Sequence, residues 1–296
     1  MVRPVKRNIL YLITLAATAL LTGACTEEVD VDLDSTYTRL VVDGQVTTDT
    51  TRHYVKLSKT MDYFSNQPAD PVPGAQVKIN DHQLEENDSI PGLYHTAPDF
   101  CGEPGQTYHL TIAGVDIDDN GTPETYTASS QIHSIVRGDS IDLVYQQYTD
   151  DLNMWGIRLY AQDPPEDNYY LFKVHKNDTL VTDTIDEYVI QEDATFNGNY
   201  VPGVVVQNLE SSKKDEKVRS GDRITLEVNS ITREYFKYII ELTSETATST
   251  PLFSGPRANV RTNIEGDRDA VGFFRAYSIS RMSLKVIHPY AKKTSR

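Results

Sequence analysis

Apolar side chains recur at every second position along most of this chain, and a chain patterned that way can bury them only as strands with one face turned inward. Val55 and Leu57 alternate with Lys56 and Ser58, and Ala75, Val77 and Ile79 with Gln76, Lys78 and Asn80. Tyr108, Leu110 and Ile112 alternate with His109 and Thr111. Turn-forming clusters separate these runs at Pro71-Val72-Pro73-Gly74, Asn87-Asp88, Pro91-Gly92 and Pro104-Gly105. A second series follows: Trp155, Ile157 and Leu159; Tyr170, Phe172 and Val174; Ile224, Leu226 and Val228; then Phe274, Ala276 and Ser278, with Tyr277 and Ile279 on the opposite face. One segment breaks the period. From Thr232 to Glu245, Tyr235, Phe236, Ile239, Ile240 and Leu242 recur at helical spacing, behind Thr232 as a cap and with Glu234 in the first turn. The pattern predicts an all-β chain: an Ig-like sandwich over 37–130, then over 131–296 a larger β-sandwich or barrel with one packed amphipathic helix near 232–246.

The N-terminus reads differently. Arg3, Lys6 and Arg7 precede the uncharged run Ile9 to Leu21, and Leu21-Thr22-Gly23-Ala24-Cys25 follows. A basic start, a short apolar core and small residues at the cleavage point define a secretory signal over 1–24. The run falls short of the roughly 20 apolar residues that span a bilayer. Cys25, placed directly after Gly-Ala, would be acylated and become the mature N-terminus. The leucine of a lipoprotein cleavage site stands one step further out than usual, with Thr22 in its place. An ordinary cleaved signal followed by a cysteine is the alternative. Two or more acyl chains on one cysteine make such an anchor stable. Residues 25–36, with Glu27, Glu28, Asp30, Asp32 and Asp34, form an acidic tether.

Charge narrows the partners. The chain carries a formal charge of -15, and losing Arg3, Lys6 and Arg7 with the signal takes it to -18. Such a chain repels nucleic acid phosphates, and it has no basic patch to hold it on anionic lipid. The membrane contact expected is the acylated Cys25. With only two cysteines, acylation leaves Cys101 without a disulfide partner, and its place between strand-like segments suggests a small buried hydrophobe.

The sharpest chemical signal is Asp116-Ile117-Asp118-Asp119-Asn120-Gly121. Oxygen side chains at alternate positions, with glycine at the sharp turn, are what a calcium loop uses. Asp116, Asp118 and Asn120 would be ligands, and Asp119 or Glu124 further ones. The twelfth position, where a calcium loop has a bidentate Glu, is Thr127, and no helix flanks the segment. A polar hairpin loop turning at Asn120-Gly121 is the alternative. Tyr63 and Phe64 stand in a loop where exposed aromatic faces would suit a sugar or peptide. The long loop Pro251 to Gly266 offers Arg257, Asn259 and Arg261 as ligand or partner contacts. The histidines show no paired metal spacing, and no nucleophile elbow or phosphate loop occurs, so a non-enzymatic protein is expected.

Part of the first half, Gly74-Ala75-x-Val77-x-Ile79, Gly92-x-Tyr94 and Gly105-x-x-Tyr108-x-Leu110-x-Ile112, resembles the transthyretin-like or carboxypeptidase-regulatory kind of sandwich. Taken with Tyr126-Thr127-Ala128-Ser129-Ser130, Gly221-Asp222-x-Ile224, Tyr235-Phe236-x-Tyr238, the run Pro251 to Val260, Asn263-Ile264-Glu265-Gly266 and Gly272-Phe273-Phe274, the order of motifs resembles domain of unknown function 4249, a Bacteroidota lipoprotein family. The resemblance implies an outer-membrane lipoprotein whose acidic tether directs it to the cell exterior and whose partner is a TonB-dependent receptor. It brings no catalytic residues. A structural or adhesive surface module without a transport role is the alternative.

Overall fold

The alternating runs become strands in the computed structural model, which describes residues 38–60, 67–147, 153–194, 196–247 and 260–287. The first half supplies β1 (Leu40–Thr47), β2 (Tyr54–Lys59), β3 (Gln76–Ile79), β4 (His82–Gln83), β5 (Glu85–Glu86), β6 (Leu93–His95), β7 (Thr107–Val115) and β8 (Glu124–Gln131). Then come β9 (Arg137–Gln147), β10 (Asn153–Gln162), β11 (Tyr169–Lys176), β12 (Thr179–Leu180), β13 (Val189–Glu192), β14 (Tyr200–Glu210) and β15 (Arg223–Ile231). Helix α1 (Arg233–Ala247) follows, and β16 (Glu265–Gly266) and the long β17 (Ala270–Lys285) close the series. Among the described residues no helix is long and apolar enough to cross a membrane.

Among the described residues the strands form three sheets. A nine-stranded sheet runs β12-β11-β15-β17-β1-β2-β6-β5, with β13 also pairing to β11; a five-stranded sheet runs β16-β8-β7-β3-β4; a three-stranded sheet runs β14-β10-β9. Successive side chains of β17 point to opposite faces. Ala270, Phe274 and Ala276 point into a first core with Val42, Leu57, Tyr94, Ile112 and Tyr126. Met282, on the same face further along, enters a second core with Trp155, Ile157, Phe172, Val174 and Leu226. The five- and three-stranded sheets therefore cover two halves of one face of the large sheet. On the other face, Phe273 and Tyr277 meet Leu171, Ile231 and the Tyr235 and Ile239 side chains of α1. From Ala270 to Ile279 both faces of β17 are buried or half-buried, which is why its apolar residues there fall at odd and even positions alike; beyond that Arg281, Ser283 and Lys285 face outward.

The far end of the chain thus completes the first sandwich. β17 pairs in parallel with β1 from Leu40↔Ala270 to Thr47↔Tyr277, then antiparallel with β15 from Ser230↔Ser278 to Arg223↔Lys285. Residues from Thr38 onward form one compact unit, and the first core draws on residues 40–132 together with 264–276. The approach of β1 and β17 is close enough to require Gly272: its φ is +93°, and a Cβ there would lie 2.0 Å from Val42 O. Beside it, Arg275 donates to Asp43 (2.6 Å) and Tyr54 (2.9 Å) and lies over the Tyr235 ring of α1 (5.5 Å).

Thr232 caps α1 as expected, accepting from Tyr235 N at 3.2 Å. Cys101 departs from expectation: it is exposed, with Sγ 3.2 Å from Thr48 O. Phe100 takes the inward position instead, packing on the first core with its ring edge-on to His53 and Tyr108. The next residue is left facing outward.

Candidate functional site

Residues 116–123 connect β7 to β8, so the acidic run is a hairpin loop, and its folding follows from its own side chains. Asp116 accepts from Asn120 N (3.0 Å) and Gly121 N (2.7 Å), while Asn120 Oδ1 accepts from Thr122 N (2.7 Å). Gly121 supplies the positive φ, +82°, that lets the chain turn back. Oxygen atoms of Asp116, Asp118 and Glu124 lie within 4.8 Å of one another. Glu124 opens β8 and is buried: Oε2 accepts from Ile117 N at 3.0 Å, and Oε1 has no hydrogen-bond partner. Asn120, besides accepting from Thr122 N through Oδ1, hydrogen-bonds Asp118 through its side chain and so stands at the rim of this group. Thr127 lies on β8 opposite Glu265.

A cation from the far end of the chain closes over this loop. β16 pairs with Tyr126 and Thr127, and Asp267 accepts from Thr125 N (2.8 Å), which pins the segment leading to Arg268. The Arg268 guanidinium donates to Asp118 and stands 3.5 Å from Glu124 Oε1. It holds the Asp118 carboxyl below the usual carboxylate range. Lys59, at the end of β2, pairs with Asp119 at 3.3 Å. Arg268 and Lys59 carry no mark in the sequence that would link them to the loop, because both arrive through strand pairing.

A second feature lies along the β8 edge. Asn263 donates to Ser129 O (3.0 Å) and Phe274 O (2.7 Å) and accepts from Phe274 N (3.0 Å), joining β8 to β17 through one side chain. Beside it opens a cleft of about 550 Å³ lined by Ser129, Gln131, His133, Tyr169, Arg233, Glu234 and Phe273 among others. A neighbouring recess of about 230 Å³ shares Ser129, Asn263 and Glu265. A third, smaller pocket of about 30 Å³ lies against Asp163, Asp193 and Tyr170 beside the second core. Burial pushes the Asp163 carboxyl up, although Tyr170 Oη donates to it at 2.6 Å. That volume suits a water molecule and not a solute.

A family model described as Domain of unknown function (DUF4249) matches residues 26–283. The chain belongs to this family. No curated protein matches it. Among solved structures, the DUF4249 chain is similar to one titled "Structure of Yersinia pseudotuberculosis adhesin InvE", at 13% identity over 65% of this chain and 55% of that one. The TM-score of 0.17 is too low to carry an argument.

Of the contact residues expected in the DUF4249 chain, Arg261 is placed: its Nε lies 2.8 Å from Glu241 Oε1 and its N–H donates to Glu241 Oε2, tying the segment after α1 back to the helix. Tyr63, Phe64, Arg257, Asn259 and Cys25, the expected lipid anchor, lie outside the described residues. The other tyrosines divide by environment. Tyr145 packs on Trp155 at 5.1 Å, Tyr170 is buried, Tyr169 lines the cleft, and Tyr200 is exposed.

Proposed function

We propose that this protein is a surface-exposed outer-membrane lipoprotein, not an enzyme, that acts as accessory or ligand-binding partner of a TonB-dependent nutrient transporter. The observation that carries the reading is the N-terminal order: basic residues, apolar run, Cys25, acidic tether. Family membership supports it, since the motifs that place the chain in the family resemble those of lipoproteins that accompany such receptors. The β8-edge cleft supports a binding role. Its polar donors and acceptors, with Tyr169 and Phe273 beside them, suit a hydrated solute such as a sugar or peptide.

The test is affinity capture of the tagged chain from detergent-solubilised outer membranes. The expected result is a barrel receptor that copurifies, uptake of its nutrient lost on deletion, and release of the protein from the membrane by C25A. Capture without any barrel protein, with uptake intact and cell attachment impaired, would replace this reading with that of an adhesive module.

A further inference from the structure

The β7–β8 loop contains a pairing that structural needs alone do not explain. Glu124 is 4% exposed, yet its Oε1 accepts no hydrogen bond. A buried carboxylate oxygen left without a donor is costly, and each such atom in a folded protein calls for a reason. This one faces Arg268 Nη1 at 3.5 Å, an ion-pair distance without hydrogen-bond geometry. The same Nη1 donates to Asp118 Oδ2. A single positively charged nitrogen thus marks the point on which Glu124 and Asp118 converge, and Asp116 completes the group.

We propose that this point is a Ca2+ site, with Asp116, Asp118 and Glu124 as ligands and the ion taking the place that Arg268 Nη1 holds in its absence. The spacing fits. Two oxygens bound at roughly 2.3–2.6 Å to one calcium lie at most about 5 Å apart, and the three carboxylates offer oxygens within 4.8 Å of one another. The charge fits as well: with the guanidinium displaced, the three carboxylates carry three negative charges, which a divalent cation offsets more fully than the single positive charge of Arg268. Asp116 keeps ligand capacity, because each carboxylate oxygen has two lone pairs and its backbone bonds to Asn120 and Gly121 use one on each. A loop of mixed carboxylates favours calcium over magnesium, which demands a stricter octahedron. The affinity expected is that of extracellular modules, roughly 0.1–1 mM. This site does not depend on the transporter reading and is tested separately.

The decisive probe is Tb3+, which occupies calcium sites and emits when a nearby aromatic ring is excited. Tyr126 is placed for this, its hydroxyl 3.4 Å from Glu124 Oε2. With the whole chain in detergent, tyrosine excitation should give terbium emission that millimolar Ca2+ removes, and Ca2+ but not equal Mg2+ should raise the unfolding temperature. D118N, at an exposed position where folding is safe, and E124Q should each weaken binding by at least roughly tenfold. R268Q removes the competing cation and should tighten it. Absence of Ca2+-displaceable emission in the wild type overturns the site. Emission unchanged in D118N and E124Q together assigns the ion elsewhere on this acidic surface and also overturns it. Weaker binding in R268Q would show that Arg268 supports the loop and is not the ion's stand-in, which overturns the exchange.

Discussion

Glu227 shows how much a single side chain can set. It is buried on β15, its carboxylate meeting Arg281 (2.9 Å to Nε) and His175 (3.4 Å to Nε2). Burial alone would raise its pKa, but His175, Arg281 and Lys173 outweigh that and pull it down to about 2. An unfolded Glu titrates near about 4.3. A depressed folded value means that the stabilisation is complete above the unfolded pKa and is lost as pH falls toward the folded one. Between about pH 4.5 and pH 2 the chain should lose on the order of 3 kcal/mol through this group. Urea unfolding across that window should be steep for the wild type and flatter for E227Q, and equal slopes would discount the pairing. At this scale the candidate metal site was half legible. Asp116, Asp118 and Glu124 are neighbours in sequence, whereas Arg268 stands 150 residues from Asp118 and is brought there by β16. Cys101 was misread because Phe100, the larger apolar group, claims the inward side.

Elements were the most legible scale, for a physical reason. Period-two patterning states which face of a strand is buried, and the burial of β2, β3 and β7 follows it until the bulge between Ala113 and Val115 shifts the phase of β7. It does not state the neighbour, so the parallel pairing of β1 with β17 was invisible. Helix α1 was found from its spacing and its cap. That cap is testable: T232A removes the bond to Tyr235 N and should cost about 1 kcal/mol, read from the urea midpoint. A loss near zero would mean that α1 is held by Tyr235, Ile239 and Phe273 alone.

For the whole molecule, the sharing of β17 makes the two cores one thermodynamic object. Phe274 is fully buried in the first core, and the single tryptophan, Trp155, reports on the second. F274A should lose roughly 3–5 kcal/mol, and the Trp155 fluorescence transition should move with it, coincident with the loss of sheet signal. A Trp155 midpoint that stays put would show two independent units. The placement of β1 has a mechanical side. Any pull transmitted through the segment before Leu40 runs lengthwise down a strand gripped on both edges, by eight register pairs with β17 and six with β2. Those backbone bonds would be loaded together in shear and not peeled apart one at a time. A fold hung from its N-terminus in a moving fluid would take the strain where it is best able to bear it.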